Sequence, residues 1–334
     1  MTEIPQNGRL INGRYQLVRL LKKGEMGEVY TAKDILLRDF VIIKKTRAEE
    51  ARIISGLCHP GIVRYLDAFP EAEAFGTVSS GHKAGTALNS VFLVEEYVPG
   101  ETLTAYVEKN GPIPEEETIG IGLQICEILN YLHSLDPPLI YRDLKPDNLM
   151  LQPDGKVKLI DFGIAREYVK WEDQDTNHFG TRGYAAPEQY GESLAQSDAR
   201  SDLYGLGMVL AYLLTGVDPA RIAAEEEGKE MLRNAASQAL LQLILKCTET
   251  EPLKRYQSAE ILAYELKKLK SEAGFRRTKD SEQSERAALV GKPLQTADHK
   301  KKQGLKSVLL VILLILGCSA GVLLEFFFLV WLSS

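Results

Sequence analysis

Cysteine and tryptophan are scarce in this sequence, with four Cys and two Trp in 334 residues. Cys58, Cys126, Cys247 and Cys318 are widely spaced, form no C-x-x-C pair and lie near no histidine cluster. That pattern argues against a disulfide framework and a cysteine-based metal site, and suits a reducing compartment where thiols serve as small buried apolar groups. A basic excess is also missing. Lys and Arg number 40 against 46 Asp and Glu, a net charge of −6, whereas a general nucleic-acid binder is usually basic. No internal repeat is visible. The opening MTEIPQNGRL has no basic stretch followed by an apolar run, so no cleaved signal peptide is expected.

What is present suffices for a folded domain: 45% of the residues are hydrophobic and 26% charged, ordinary globular values. The length allows one large domain or two ordinary ones plus a short extra segment. That segment is C-terminal. Val308 to Leu332 reads VLLVILLILGCSAGVLLEFFFLVWL with one charge, Glu325. As a helix it would run roughly 37 Å at about 1.5 Å per residue, enough to cross a hydrocarbon core of about 30 Å. Trp331 suits an interface, and Glu325 falls in the outer third, where a carboxylate costs less. His299, Lys300, Lys301, Lys302 and Lys306 precede the span and only Ser333 and Ser334 follow it. The positive-inside bias therefore places everything N-terminal in the cytoplasm of a single-pass membrane protein.

From residue 9 to 270 the pattern is globular, after a short tail over 1–8. Tyr15 to Leu21, Glu28 to Lys33, Phe40 to Lys45 and Val91 to Tyr97 read as strands. Ala72 to Ser90, rich in Gly, Ser, Ala and Thr, reads as a surface loop. After Pro99-Gly100 the period becomes helical. Glu115 to Leu135 carries Ile119, Leu123, Cys126, Leu129 and Leu132 at three- and four-residue spacings behind an acidic first turn. Ser201 to Thr215 is a second apolar helix, with Ser201 as N-cap and Gly216 at its stop. Strands first and helices afterwards predict an α+β fold of two lobes, a small β-rich one over about 9–97 and a larger helical one over about 100–270. Residues 271–306 lack periodicity and are net basic, a linker to the membrane helix over 307–332. Its Lys and Arg can lie against anionic lipid or serve as a plain solvated spacer with stop-transfer charges.

Four short motifs carry chemistry. Lys23-Gly24-Glu25-Met26-Gly27-Glu28-Val29-Tyr30 places two glycines between two strands, where the backbone could approach phosphate closely. Val41-Ile42-Ile43-Lys44 follows, then Tyr141-Arg142-Asp143-Leu144-Lys145-Pro146-Asp147-Asn148, then Asp161-Phe162-Gly163. Gly180-Thr181-Arg182-Gly183-Tyr184-Ala185-Ala186-Pro187-Glu188 lies further on. Joined in this order, the chain from about 12 to 268 resembles the eukaryotic-like Ser/Thr protein kinases, most of all their bacterial branch in its P-E-Q ending.

The resemblance implies a bilobal kinase fold that binds ATP with Mg²⁺ or Mn²⁺ and phosphorylates Ser/Thr of cytoplasmic proteins. It implies Asp143 as acceptor of the substrate hydroxyl proton, Lys145 at the γ-phosphate, and Thr181 beside both. Lys44 would grip the α/β-phosphates and pair with Glu50, or with Glu49. Gly24, Gly27, Val29, Glu96 and Met150 would join Lys44 around the nucleotide, and Asn148 and Asp161 would hold metal. Asp202 resembles the residue that ties down the catalytic-loop backbone, and Arg255 the partner of Glu188. Four positions depart from the pattern: Lys22 replaces the first loop glycine, Ile42 replaces a small Ala over the adenine, Tyr141 replaces a His, and the link from Lys44 to Glu50 is short. Arg142 implies an activation-loop phosphate, on Thr176 first, Thr181 second or Tyr168 third. Confinement in a membrane would favour dimer encounter and trans-autophosphorylation. An anchored pseudokinase scaffold is the alternative, and a small-molecule phosphotransferase a more distant one.

Overall fold

The computed structural model describes residues 10–24, 27–74, 90–167, 180–190 and 196–272. All of them lie in the unit running from Met1 to Gly274. The expected strands are present, the first three slightly longer than their apolar runs and the fourth shifted back by one residue to end at Glu96. Strands β1 (Leu10–Ile11), β2 (Tyr15–Gly24), β3 (Gly27–Asp34) and β4 (Asp39–Arg47) lead to helix α1 (Ala48–Ser55). Then come β5 (Tyr65–Pro70), a single helical turn α2 (Glu71–Ala74) and β6 (Ser90–Glu96). These strands form one antiparallel sheet in the order β1-β2-β3-β4-β6-β5. Ala72–Ala74 and Ser90, expected in a loop, belong to α2 and β6; the stretch between them lies outside the described residues.

Side-chain alternation along the strands divides the sheet's two faces. Val41 and Ile43 of β4, with Phe92 and Val94 of β6, join Tyr15, Leu17 and Phe69 in a small apolar cluster on one face. Ile42 and Lys44, with Leu93 and Glu95, occupy the alternate positions. Leu93 packs into the larger core that runs through the helical part of the chain. The cleft is thus lined by the second face of the same strands that build the upper core.

The helical part begins after β7 (Glu101–Thr102) with α3 (Leu103–Asn110) and α4 (Glu115–His133). Glu115, Glu116 and Glu117 complement the α4 N-terminus, and Ile119, Gly122, Ile125, Cys126, Leu129 and Leu132 bury one stripe. Short strands β8 (Leu139–Ile140), β9 (Leu149–Leu151), β10 (Val157–Leu159) and β11 (Arg166–Glu167) carry the loops between them. Helix α5 (Ala199–Thr215) is buried along nearly all its length. Its N-cap is Asp198 rather than Ser201; Ser201 is the N3 partner of a capping box, because the helix starts one turn earlier than its apolar run. Gly216 closes it in the left-handed conformation, as expected. Helices α6 (Pro219–Ala224), α7 (Glu226–Ala235), α8 (Gln238–Cys247) and a last helix described over 259–272 complete the lobe.

Cys126 and Cys247 are buried, and burial raises the Cys126 thiol to about 12. Cys58 is exposed, contrary to expectation, because it follows α1 in a surface turn. Of the linker expected over 271–306, Ser271 and Glu272 still belong to the last helix; the rest of it, the membrane helix over 307–332 and Cys318 lie outside the described residues. Among the described residues no helix is long and apolar enough to cross a membrane.

Candidate active site

The loop between β8 and β9 presents Asp143, Lys145 and Asn148. Its backbone is pinned from below by Asp202 in the first turn of α5. One Asp202 oxygen accepts from the Arg142 N–H at 2.7 Å; the other accepts from the Tyr141 N–H at 2.9 Å and lies 2.7 Å from His133 Nε2. Gln189 donates to the Arg142 carbonyl at 2.7 Å from the far side. This double anchoring holds Arg142 at φ 70°, a conformation a non-glycine residue adopts only under outside restraint.

Asp143 is held by three neighbours. Lys145 Nζ lies 2.7 Å from its Oδ2, Asn148 Nδ2 donates to the same oxygen at 2.9 Å, and Thr181 Oγ1 donates to Oδ1 at 2.9 Å. Lys145 also donates to Thr181 Oγ1 at 2.7 Å. Asp143, Lys145 and Thr181 therefore form a closed ring, across a separation of 38 residues between Asp143 and Thr181. Asn148 adds a bond to the Asp143 carbonyl at 2.9 Å. All the catalytic-loop residues expected from the sequence meet here.

Asn148 and Asp161 stand at the two open ends of the β9–β10 hairpin. Leu149 pairs with Leu159, and the Ile160 N–H donates to the Asn148 carbonyl at 2.9 Å. Asp161, at φ 65°, points its half-exposed carboxylate to within 3.6 Å of Lys44 Nζ. Beneath it the buried Tyr141 hydroxyl donates to the carbonyls of Ile160 and Asp161, at 2.6 and 2.8 Å, and its ring meets Phe162 edge-on at 5.2 Å. Tyrosine thus packs under the turn, with its hydroxyl held by the backbone of Ile160 and Asp161. Burial raises its phenol well above the ordinary value.

Across the cleft, Lys44 Nζ lies 2.5 Å from Glu50 in the first turn of α1 and 3.1 Å from Glu95 on β6. Glu50, not Glu49, is the helix partner, so the short link is long enough. Burial pulls the Lys44 ammonium down, yet the charges of Glu95, Glu50 and Asp161 outweigh it and leave it raised. Sequence reasoning missed Glu95. Two adjacent glutamates at 95 and 96 end an apolar strand, but only the pairing of Ile42 with Glu95 shows which shares a face with Lys44.

The cleft encloses about 800 Å³ and is lined by Val29, Ile42, Glu95, Glu96, Val98, Met150 and Ile160, among others. Ile42 does not close it: the volume is within the usual range of ligand pockets. Glu96 lines it with its carboxylate already engaged by Lys158 and by the Arg64 N–H. Gly24 pairs with Gly27 where β2 meets β3. A Cβ on Gly27 (φ 130°) would collide with the Lys45 carbonyl, so this glycine has a packing reason besides any ligand. Thr176 and Tyr168 lie outside the described residues. Among the described residues no group of three or more His, Cys, Asp and Glu side chains would hold a metal ion.

Residues 6–267 match the family described as protein kinase domain. Serine/threonine-protein kinase PrkC of Bacillus subtilis is 32% identical over 285 residues, covering 78% of this chain and 41% of that protein. Serine/threonine-protein kinase PknB of Mycobacterium leprae is 32% identical over 283 residues, 77% of this chain and 43% of that one. A probable serine/threonine-protein kinase PknB of Bifidobacterium longum is 36% identical over 227 residues, 63% of this chain and 31% of that protein. The chain thus spans less than half the length of these relatives.

Proposed function

The chain belongs to the protein kinase domain family, and on that premise we propose that it is an ATP-dependent serine/threonine protein kinase of the bacterial type. The observation that carries the reading is the ring of Asp143, Lys145 and Thr181 braced by Asn148. Phosphoryl transfer needs the nucleophile oriented and charge stabilised, with little covalent work from protein. Asp143 receives the proton of the acceptor hydroxyl, whose oxygen bonds to the γ-phosphorus as the bond to the β–γ bridging oxygen breaks and ADP leaves. Lys145 faces the charge that gathers on the transferring group, and Thr181 fixes the height of an acceptor side chain beside Asp143. Lys44 holds the α/β-phosphates, with Glu50 behind it. Gly24, Gly27, Val29, Glu96 and Met150 surround the nucleotide.

Asp161 and Asn148 offer a hard carboxylate and an amide oxygen at one end of the hairpin, a donor set that fits Mg²⁺ or Mn²⁺. Such a cation, when bound, neutralises the β/γ-phosphate charge. The apolar run Val308–Leu332, behind Lys300, Lys301, Lys302 and Lys306, supports a membrane anchor with the kinase domain on the cytoplasmic side. Membrane confinement would bring copies together as dimers and favour phosphorylation of one by another at the activation loop. The assembled ring weighs against the pseudokinase scaffold.

The test is transfer of label from γ-labelled ATP to a generic basic protein, with Mg²⁺ or Mn²⁺, by the wild type and by Asp143→Asn. A fall of about 10²-fold or more is expected from losing the proton acceptor. Equal label from both proteins would sink the catalytic reading. Mixing an inactive with an active copy tests transfer between molecules, which fails if the inactive copy stays unlabelled.

A further inference from the structure

The Lys44 ammonium meets three carboxylates: Glu50 at 2.5 Å, Glu95 at 3.1 Å and Asp161 at 3.6 Å. An ammonium carries three donors and no acceptor, and here its charge is shared among three carboxylates at ion-pair distance. Asp161 is half exposed and belongs to the metal end of the site, so it is the partner that can turn away. Glu50 and Glu95 are both buried, and they are supported differently. Glu50 rides on α1, an eight-residue helix with no side-chain cap at its start. Helices this short depend on packing, and Glu50 is tied back to β4 through its side chain, which accepts from the Thr46 hydroxyl. Glu95 sits inside the sheet, with Ile42 of β4 opposite it on one side and Tyr65 of β5 on the other. Lys44 is on that same β4, two residues from Ile42. The strand that carries the lysine is therefore hydrogen-bonded to the strand that carries Glu95.

We infer that Glu95 is a positioning residue, which holds the Lys44 ammonium in the cleft from the rigid sheet, independently of α1 and Glu50. The consequence for nucleotide binding rests on the kinase reading; the contact itself does not. In many-partner sites of this kind a single deletion exposes little, because the remaining carboxylate keeps the cation, whereas removing both frees it. Burial pushes the Glu95 carboxyl up, with Lys44 pulling the other way. Two carboxylates left on Lys44 once Asp161 engages a metal still leave the third donor for a phosphate oxygen. Glu95 is thus compatible with the grip on the nucleotide and does not take its place.

The experiment follows the amine reactivity of Lys44 in the full chain without nucleotide, by mass spectrometry after brief treatment with a small lysine-acetylating reagent at fixed pH. Wild type, Glu50→Gln, Glu95→Gln and the double variant are compared. Each single substitution is expected to speed labelling about twofold, and the double about tenfold or more, a coupling of the size seen for residues sharing one ion-pair network. The activity of the double variant should fall by more than the product of the single losses, with the loss greater in KM for ATP than in kcat. A Glu50→Gln rate already equal to that of the double, or a Glu95→Gln rate equal to wild type, overturns the assignment. Should the double variant fail to fold, the two singles decide it, since Glu95→Gln at the wild-type rate is alone sufficient to reject it. Labelling is read without ATP, so a chain that transfers no phosphate would sink the catalytic reading and leave this result standing.

Discussion

Glu188 and Arg255, 67 residues apart in sequence, face each other in a two-point ion pair at 2.7 and 2.8 Å, with both side chains sealed from solvent. The guanidinium uses its remaining donors on the carbonyls of Glu249, Thr250 and Arg200, and Glu188 accepts a further bond from Ser201 at 2.7 Å. The pair therefore staples the short helical turn Pro187–Tyr190 to α5 and to the loop after α8. Such a pair serves geometry more than net stability, but breaking it leaves a buried charge without its partner.

Glu188→Gln or Arg255→Leu should accordingly destabilise the domain by about 3–5 kcal/mol, read as a shift in chemical denaturation. The double variant Glu188→Gln/Arg255→Leu should recover part of that loss, because no unpaired charge remains. Additive losses in the double variant would contradict this account.

Thr181 bridges Lys145 and Asp143 through one hydroxyl. Thr181→Val keeps the volume and removes both bonds, and bonds to charged groups contribute about 1.5–3 kcal/mol. Turnover should fall about 10- to 100-fold, while Thr181→Ser, which keeps the hydroxyl, should stay within severalfold of wild type. A hydroxyl needed only as a phosphorylation site would not show this contrast against a variant enzyme never exposed to ATP beforehand.

Gly207 and Gly120 should respond oppositely to alanine. A Cβ at Gly207 on α5 would lie 2.6 Å from the Cys247 Cβ and 2.8 Å from Thr248 Cγ2, whereas one at Gly120 on α4 meets nothing nearer than Lys270 Nζ at 4.0 Å. Gly207→Ala should cost about 1–3 kcal/mol through overpacking between α5 and α8. Gly120→Ala should stabilise by about 0.5–1 kcal/mol through helix propensity. Thermal denaturation of the two variants checks both signs.

Arg14 lies 2.6 Å from the buried Asp34, whose other oxygen accepts from the Leu36 and Leu37 N–H groups at 2.9 and 3.2 Å. The hydrogen bond from Arg14 holds the Asp34 carboxyl below its usual range. A carboxyl lowered by folding contributes stability that is complete above its unfolded value, about 3.9, and is lost as pH falls through the lower folded value. The melting-temperature gap between wild type and Asp34→Asn should therefore be widest near neutrality and narrow below about pH 4. A gap that does not change with pH would exclude the linkage.

Much of the site was legible because its chemistry is written in contiguous runs. Asp143, Lys145 and Asn148 occupy one loop, and Asp161–Gly163 and Gly180–Glu188 are each a contiguous run, so the resemblance to protein kinases could group them. Helices α4 and α5 were legible for a different reason: their apolar residues repeat at the helical period. Boundaries were less so. Ser201 looked like a cap because it precedes an apolar run, but Asp198 stands one turn earlier and starts the helix with the better acceptor.

The sequence by itself determined which residue types could carry the chemistry, their order, and the two-lobed division into strands and helices, since each depends on local pattern. Only the tertiary structure decided that His133 shares Asp202 with the catalytic-loop backbone and that Glu95 rather than Glu96 faces Lys44. The physical reason is parity and distance. A strand's alternation tells which residues share a face, but the core that packs on the other face chooses which of them meets the cleft, and partners dozens of residues apart meet only when the lobes' elements are packed.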